Sequence, residues 1–139
     1  YPVVGVKATL YDGSYHPVDS SEMAFKTATM QAFKKGIMEA SPVLLEPIAT
    51  LKVTVPDEYT GDVMGDLNKR RGRVLGMTPV QGGKQIIEAD IPMTGVFGYC
   101  TVLRSMTGGR GTYEYEFARY EQAPSDVQEK EIAKRAAEE

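Results

Sequence analysis

A short polar loop near the start of the chain carries the side chains best suited to chemistry. It contains Asp12, Ser14, His16 and Asp19, the residue types of a nucleophile, a general base and an orienting carboxylate. All four fall in one short stretch, Asp19 is placed to cap a helix, and no oxyanion-stabilising arrangement is visible. The sequence therefore predicts no catalytic residue, and we expect the chain by itself not to be an enzyme.

Metal binding is also not predicted. The chain has one histidine and one cysteine, and His16 and Cys100 do not have the spacing of a ligand motif. Cys100 falls on a predicted core stripe, so packing explains it better than reactivity. A single cysteine cannot form an internal disulfide, which favours a cytoplasmic location. No apolar run approaches the length of a membrane span and no signal-peptide pattern is present, so we expect no membrane partner.

A strand and a helix are predicted on either side of the polar loop. Apolar residues alternate with other residues from Val4 to Leu10, which predicts a strand with one apolar face. Asp19 and Glu22 have the spacing of a capping box, in which Asp19 accepts from the first-turn amides. A helix is expected to follow to about Ala40.

This helix is apolar most of the way round, so we expect other structure to cover more than one side of it. The chain begins at Tyr1, without methionine, and we expect it to be a piece of a longer protein. One hypothesis is that the truncated chain associates with itself through this helix, or that residues 1–40 are poorly ordered.

From Pro47 to Tyr120 the pattern predicts a ferredoxin-like α+β domain. Strands are expected at residues 50–55, 73–78, 85–91 and 113–117, with helices after the first and third strands. The second helix has the apolar stripe Met93, Val96, Phe97, Cys100 and Leu103. The resulting βαββαβ order places two helices on one face of a four-stranded antiparallel sheet. A last helix is predicted from Ser125 toward the end of the chain.

Basic residues are concentrated in the middle of the chain. Residues 59–111 carry seven basic and four acidic side chains, whereas residues 112–139 carry four basic and eight acidic side chains. One group, Lys69, Arg70, Arg71 and Arg73, falls at a helix end, and a second comprises Arg104, Ser105 and Arg110. Such groups suit a helix dipole and a solvated face as well as phosphate, so the pattern alone does not select RNA.

Several long segments resemble elongation factor G. Residues 10–26 (LYDGSYHPVDSSEMAFK) resemble the tip of its domain IV, and residues 42–47 (PVLLEP) resemble the passage into domain V. Residues 61–72 (GDVMGDLNKRRG) resemble the first helix of domain V. The short segments FGY, LRS and GRGTY, within residues 97–113, resemble its second helix and last strand.

The resemblance implies a division into three parts. Residues 1–45 would be the C-terminal half of domain IV, a partial ribosomal-protein-like αβ segment. Residues 46–121 would be domain V, and residues 122–139 would be a C-terminal helix that packs on domain IV. The family's GTP-binding domain would lie outside this chain, so GTP and Mg²⁺ would not be cofactors of this piece.

The resemblance also implies a function and its residues. The family uses GTP hydrolysis to drive translocation of tRNA and mRNA, and its domain IV tip lies near the decoding centre. This implies a tRNA–mRNA contact by Gly13, Ser14, Tyr15 and His16. Domain V faces large-subunit RNA near the sarcin–ricin loop and the stalk base. This implies that the two basic groups, including Ser105, form an rRNA-binding patch.

Three alternatives have different sequence requirements. An RNA-recognition module of the same fold would need exposed aromatic residues on its central strands, and residues 85–91 contain none. An acylphosphatase-like enzyme would need a phosphate-binding glycine loop near the first strand, and none is visible. A ribosome-protection protein or a GTPase-deficient paralogue would share most of the resemblance, although the Asp-Gly-Ser-Tyr-His tip favours a translocase.

Overall fold

The computed structural model describes residues 1–138, and the chain divides after Pro42 into two units. The first unit is Tyr1–Pro42 and the second is Val43–Glu139. Each unit is described by itself below.

The first unit contains one helix, α1 (Glu22–Glu39). Its N-cap is Ser21, whose Oγ accepts from the Ala24 amide at 3.1 Å. The predicted capping box with Asp19 is therefore wrong. The Asp19 amide instead donates to the carbonyl of His16, so Asp19 belongs to a turn that precedes the helix. The third residue after Ser21 is Ala24, which has no carboxylate to reach back to the cap.

The predicted strand at residues 4–10 is also wrong, because this segment forms no strand. A strand needs a neighbouring strand to pair its backbone N–H and C=O groups, and no segment of the first unit pairs with it. Val4 and Leu10 are 66% and 93% exposed. Alternation of apolar residues thus gave this segment the pattern of a strand without the partner that a strand requires.

The second unit has the predicted βαββαβ order. β1 (Leu45–Pro56) leads through a 3-10 turn (Asp57–Tyr59) into α2 (Thr60–Lys69). The hairpin of β2 (Arg73–Val80) and β3 (Lys84–Pro92) follows. A second 3-10 turn (Met93–Gly95) and α3 (Tyr99–Thr107) precede β4 (Thr112–Gln122). The strands lie in the order β2-β3-β1-β4 with every neighbouring pair antiparallel, which confirms the predicted α+β fold.

The core lies between the sheet and the helices α2 and α3. Alternate residues of the two central strands point into it and are fully buried, as are two residues of α2. These residues are Ala49, Leu51, Val53, Val55, Ile87, Ala89, Ile91, Val63 and Leu67. Each large aliphatic side chain buried in this way contributes about 1.5–3 kcal/mol by its removal from water. The period of two in the strands therefore fixes which face carries the helices.

The apolar stripe of α3 differs from the prediction at three residues. Tyr99 is fully buried, whereas Phe97 is 75% exposed and Cys100 is exposed. Gly98 has φ +73°, a left-handed conformation that separates the 3-10 turn from α3. Phe97 lies in the turn between the 3-10 segment and α3, and the buried face of this segment and α3 runs through Val96, Tyr99 and Leu103, so the predicted stripe misplaces Phe97 and Cys100. The interpretation of Cys100 as a core residue is wrong.

The face of the sheet away from the helices is polar. Lys52 pairs with Glu88 at 3.6 Å, and Asp90 binds Arg119 at 2.8 Å. Neither β1 nor β3 contains an aromatic residue. This face therefore lacks the stacking residues of an RNA-recognition module.

A final helix, α4 (Ser125–Glu138), follows β4. Just before it, the Ala123 amide donates to the Leu44 carbonyl at 2.8 Å, and the Leu44 amide donates to Gln128 Oε1 at 3.1 Å. These bonds attach the start of α4 to the start of β1; the expectation that this helix packs on residues 1–45 stays a prediction. Within residues 1–138, no helix is both long and apolar enough to cross a bilayer.

The ion pairs of Asp90 should make part of the free energy of unfolding depend on pH in the acid range. Burial acts to raise its pKa, but hydrogen bonds and charge from Arg119, with hydrogen bonds from Thr50 and Arg73, lower the pKa below its ordinary 3.8. A folded pKa below the unfolded one stabilises the fold above pH 3.8, and this contribution is lost as pH falls through the folded pKa. We expect Asp90→Asn to cost about 1–3 kcal/mol at neutral pH and to flatten this acid dependence.

Chemical denaturation between pH 7 and pH 3 measures both effects. Glu88→Gln is the matched control, because Glu88 lies on the same face of β3 in a half-exposed ion pair worth about 0–1 kcal/mol. Equal losses in the two variants, or an unchanged acid slope for Asp90→Asn, would contradict the assignment.

The turn between α3 and β4 has no room for a side chain at Gly111. A Cβ there would lie 2.8 Å from Thr107 Oγ1 and 3.0 Å from Leu103 Cγ. Thr107 Oγ1 already accepts from the Gly111 amide at 2.8 Å. We expect Gly111→Ala to destabilise the fold by about 1–3 kcal/mol, measured by thermal unfolding. Gly65→Ala is the control, since a Cβ at Gly65 in α2 meets nothing within 4 Å and should be neutral or stabilising.

Candidate nucleic-acid interface

His16 lies in an exposed turn whose backbone is fixed from both sides. Its amide donates to Ser20 Oγ at 2.8 Å, and its carbonyl accepts from the amides of Asp19 and Ser20 at 3.2 and 2.8 Å. Its imidazole makes no hydrogen bond to any residue in the described part of the chain. The turn ends at the N-cap of α1, so the imidazole is presented by a held backbone and remains available to a ligand.

The other three predicted tip residues lie in the same exposed loop. The Gly13 amide donates to Asp12 Oδ1 at 2.7 Å, which shapes the start of the loop. The Tyr15 ring stacks on Phe25 in α1, with ring centroids 6.4 Å apart and an interplanar angle of 18°. Ser14 is exposed. The structure thus brings Gly13 to His16 together beside the first turns of α1.

Arg70, the first arginine of the predicted rRNA patch, is mostly engaged within the fold. Its Nε donates to Asp66 at 2.9 Å and its Nη1 donates to the Gly95 carbonyl at 2.8 Å. Its guanidinium also lies over the Tyr99 ring, 5.2 Å from the centroid. Only 20% of the side chain is exposed. Arg70 therefore holds the end of α2 against the start of α3 and has few donors left for RNA.

Arg71 and Arg73 are partly engaged. Arg71 forms a paired hydrogen bond with Glu46 at 2.7 and 3.1 Å and adopts φ +63° at the end of α2. Gly72 must follow it, because a Cβ there would lie 2.9 Å from the Leu67 carbonyl oxygen. Arg73 reaches Asp90 at 3.4 Å while 72% of its side chain stays exposed. Both guanidiniums keep exposed surface, although their charge is locally compensated.

Arg110 is held at the opposite end of the helix layer. It donates to Glu58 and to the Tyr59 hydroxyl, and its guanidinium lies 4.9 Å from the Tyr59 ring centroid. These hydrogen bonds, first that of Tyr59 and then that of Glu58, raise the pKa of Arg110 above its ordinary value. Its charge is thus offset by a neighbouring carboxylate. Because Arg110 follows α3 and Glu58 precedes α2, the two helices run antiparallel.

Lys69, Arg104 and Ser105 remain the least engaged members of the predicted patch. All three are exposed, and neither Lys69 nor Arg104 forms an ion pair with a described residue. Lys69 ends α2, whereas Arg104 and Ser105 lie in the last turn of α3. Since the helices are antiparallel, the two predicted basic groups lie toward opposite ends of the helix layer.

Sequence reasoning placed Phe97 in the core and so missed it as a surface residue. The signal available in the sequence was the glycine at position 98, which indicates a turn; in the structure Gly98 has a positive φ and directly precedes α3. Among residues 1–138 there is also no group of three or more His, Cys, Asp or Glu side chains arranged to hold a metal ion.

Two family models match the chain. Residues 1–41 match the model described as elongation factor G, domain IV, and residues 43–131 match the model described as elongation factor G C-terminus. The fold is also similar to a crystal structure of a protein from Thermus thermophilus. The similarity has a TM-score of 0.74 and 46% sequence identity, over 91% of this chain and 19% of that one. The chain therefore spans about a fifth of the length of that protein.

Proposed function

The chain belongs to the elongation factor G family, and we propose that it is the ribosome-binding C-terminal portion of a factor that promotes GTP-dependent translocation of tRNA and mRNA. The observation that carries this proposal is the 46% identity that extends across 91% of the chain, and therefore through both units. The matched models are the family's C-terminal domains, which lack the G domain. GTP and Mg²⁺ would accordingly bind elsewhere in the whole protein, and this portion would contact RNA.

In this proposal the loop from Gly13 to His16 contacts the tRNA–mRNA pair at the decoding centre. An exposed imidazole stacks on a base or ribose, or donates to a phosphate, with little loss of freedom when its backbone is already held. The hydrogen bonds that His16 makes with Ser20 provide that restraint. Tyr15 would contribute mainly by packing on Phe25.

The second unit contacts large-subunit rRNA near the sarcin–ricin loop and the stalk base in this proposal. Lys69, Arg104 and Ser105 are its principal contacts, because their polar groups are exposed and not committed to carboxylates. Arg71 and Arg73 would add contacts through their exposed surface. Arg70 and Arg110 would act mainly by holding the helices in place.

The first functional test is a His16→Ala substitution in a full-length factor carrying this sequence. We expect translocation to slow by about tenfold or more, which corresponds to about 1.4 kcal/mol of lost contact, while ribosome-stimulated GTP hydrolysis stays near wild type. Rapid kinetics of mRNA movement and of phosphate release measure the two steps. Lys35→Ala, an exposed change in α1 away from the loop, is the control. Wild-type translocation in the His16 variant would remove the proposed role of the loop.

The second test concerns the basic residues of the helix layer. We expect the double substitution Lys69→Ala/Arg104→Ala to weaken binding to large ribosomal subunits by about tenfold and to reduce the salt dependence of binding, because fewer phosphates are neutralised. Chemical footprinting should show reduced protection of large-subunit RNA. Lys84→Ala/Lys130→Ala, at the exposed start of β3 and in α4, removes the same two positive charges and is the charge-matched control. Equal effects of the control and the double variant would show that only overall charge matters.

A further inference from the structure

Phe97 is held outward by fixed backbone on both sides. Val96 and Tyr99 are 6% and 0% exposed, whereas Phe97 is 75% exposed, the largest value for any large hydrophobic side chain in residues 43–138. The amides of Val96 and Tyr99 close successive turns at 3.1 Å, and Gly98 adopts φ +73° between them. The ring is therefore presented to solvent by a preorganised turn.

The end of α2 lies beside this turn. Arg70 donates to the Gly95 carbonyl at 2.8 Å and lies over the Tyr99 ring. A Cβ on Gly95 would come within 3.1 Å of the Ile91 side chain and 3.2 Å of the Arg70 carbonyl oxygen, so the two segments are in close contact. Lys69, the residue before Arg70, is exposed. An aromatic ring and an uncommitted cation thus occur at the same end of the helix layer.

The charge and chemistry around Phe97 suit RNA better than a protein partner. The sequence has no acidic residue between Asp90 and Glu114, and Asp66, the α2 carboxylate whose charge acts on Tyr99, is compensated by its ion pair with Arg70. The exposed positions of α3 are small or polar, without a second large apolar side chain that would build a protein-binding patch: Cys100, Thr101, Arg104 and Ser105.

The exposed aromatic residues of β4 provide a contrast. Phe117 and Tyr120 are 53% and 63% exposed, but their rings contact one another with centroids 5.2 Å apart. Each of these rings already packs against the other, so neither is as free to receive a base as the Phe97 ring, which contacts no other aromatic ring among the described residues.

We propose that Phe97 is a stacking platform for one unpaired RNA base, and that Lys69 meets the phosphate beside that base. The base must be unpaired and unstacked, because duplex bases cover each other's faces and leave none for a side chain. A ring that is already fixed loses little conformational freedom on binding, which favours this contact. The inference rests on the proposed function, since it specifies how the second unit recognises ribosomal RNA.

Titration of the 139-residue chain against purified large ribosomal subunits tests the stacking. We expect Phe97→Ala and Phe97→Leu each to weaken binding by about tenfold or more, because neither side chain has an aromatic face. We expect Phe97→Trp, which keeps an aromatic face, to retain wild-type affinity. Phe117→Ala is the matched control for loss of an exposed ring and should bind like wild type. Because Phe97 is exposed, thermal unfolding should be unchanged in the three Phe97 variants.

The outcomes separate the inference from the proposed function. If Phe97→Ala binds like wild type while Lys69→Ala/Arg104→Ala weakens binding, the stacking inference is overturned and the RNA-binding surface stands. Wild-type affinity in all these variants would overturn both. Wild-type affinity of Phe97→Leu alone would reduce the contact to unspecific apolar burial, and would also overturn the stacking.

A photo-crosslinking experiment identifies what the ring touches. The substitution Phe97→p-benzoylphenylalanine places a reactive aromatic group at the same position in the full chain bound to large subunits. We expect crosslinks to a nucleotide that is unpaired in the RNA, mapped by stops in reverse transcription. Crosslinks confined to ribosomal proteins would overturn the inference in favour of a protein contact.

Discussion

The burial of one face of β1 is the constraint on which the second unit depends. β1 lies between β3 and β4, and Ala49, Leu51, Val53 and Val55 all point from it into the core with no exposure. Their alternation decides which face of the sheet carries α2 and α3, because a shift of one residue would expose all four. The opposite face then receives the intervening polar residues. The principal RNA-contacting residues proposed for this unit, Lys69, Arg104 and Ser105, consequently lie in the helix layer, whereas Arg73 lies on β2.

Arg70 joins α2 to α3 at one end of the helix layer. Its bonds to Asp66 and to the Gly95 carbonyl join the end of α2 to the turn before α3, and its guanidinium covers Tyr99. The hydrogen bonds of Arg110 to Glu58 and Tyr59 make the corresponding connection at the other end. Two arginines that resemble ligand-binding residues in the sequence therefore serve the fold, and Arg70, by doing so, fixes the positions of the neighbouring Lys69 and of the turn that carries Phe97.

On the sheet face away from the helices, charged side chains form ion pairs with one another. On the open face, Asp90 binds Arg119 and Arg73, and Lys52 is paired with Glu88. A register shift in β1–β4 pairing at Ile48/Ala49 is what turns Arg119 toward that face, opposite Ile48. Without the shift, the alternation from Phe117 would direct Arg119 to the helix side. Charges committed in this way are less available to phosphate than those of Lys69 and Arg104.

The sequence by itself determined the βαββαβ order, the core positions of the strands and the grouping of Gly13 to His16, because these depend on local periodicity and on turn residues close in the chain. It could not determine what depends on partners distant in sequence. The apolar alternation from Val4 to Leu10 did not make a strand, since no neighbouring strand pairs with it. Likewise, only the tertiary structure showed that carboxylates 52 and 25 residues away engage Arg110 and Arg71. The tertiary structure alone also showed that α3 begins at Tyr99, so that Phe97 and the left-handed Gly98 lie in the turn before the helix and Phe97 is exposed.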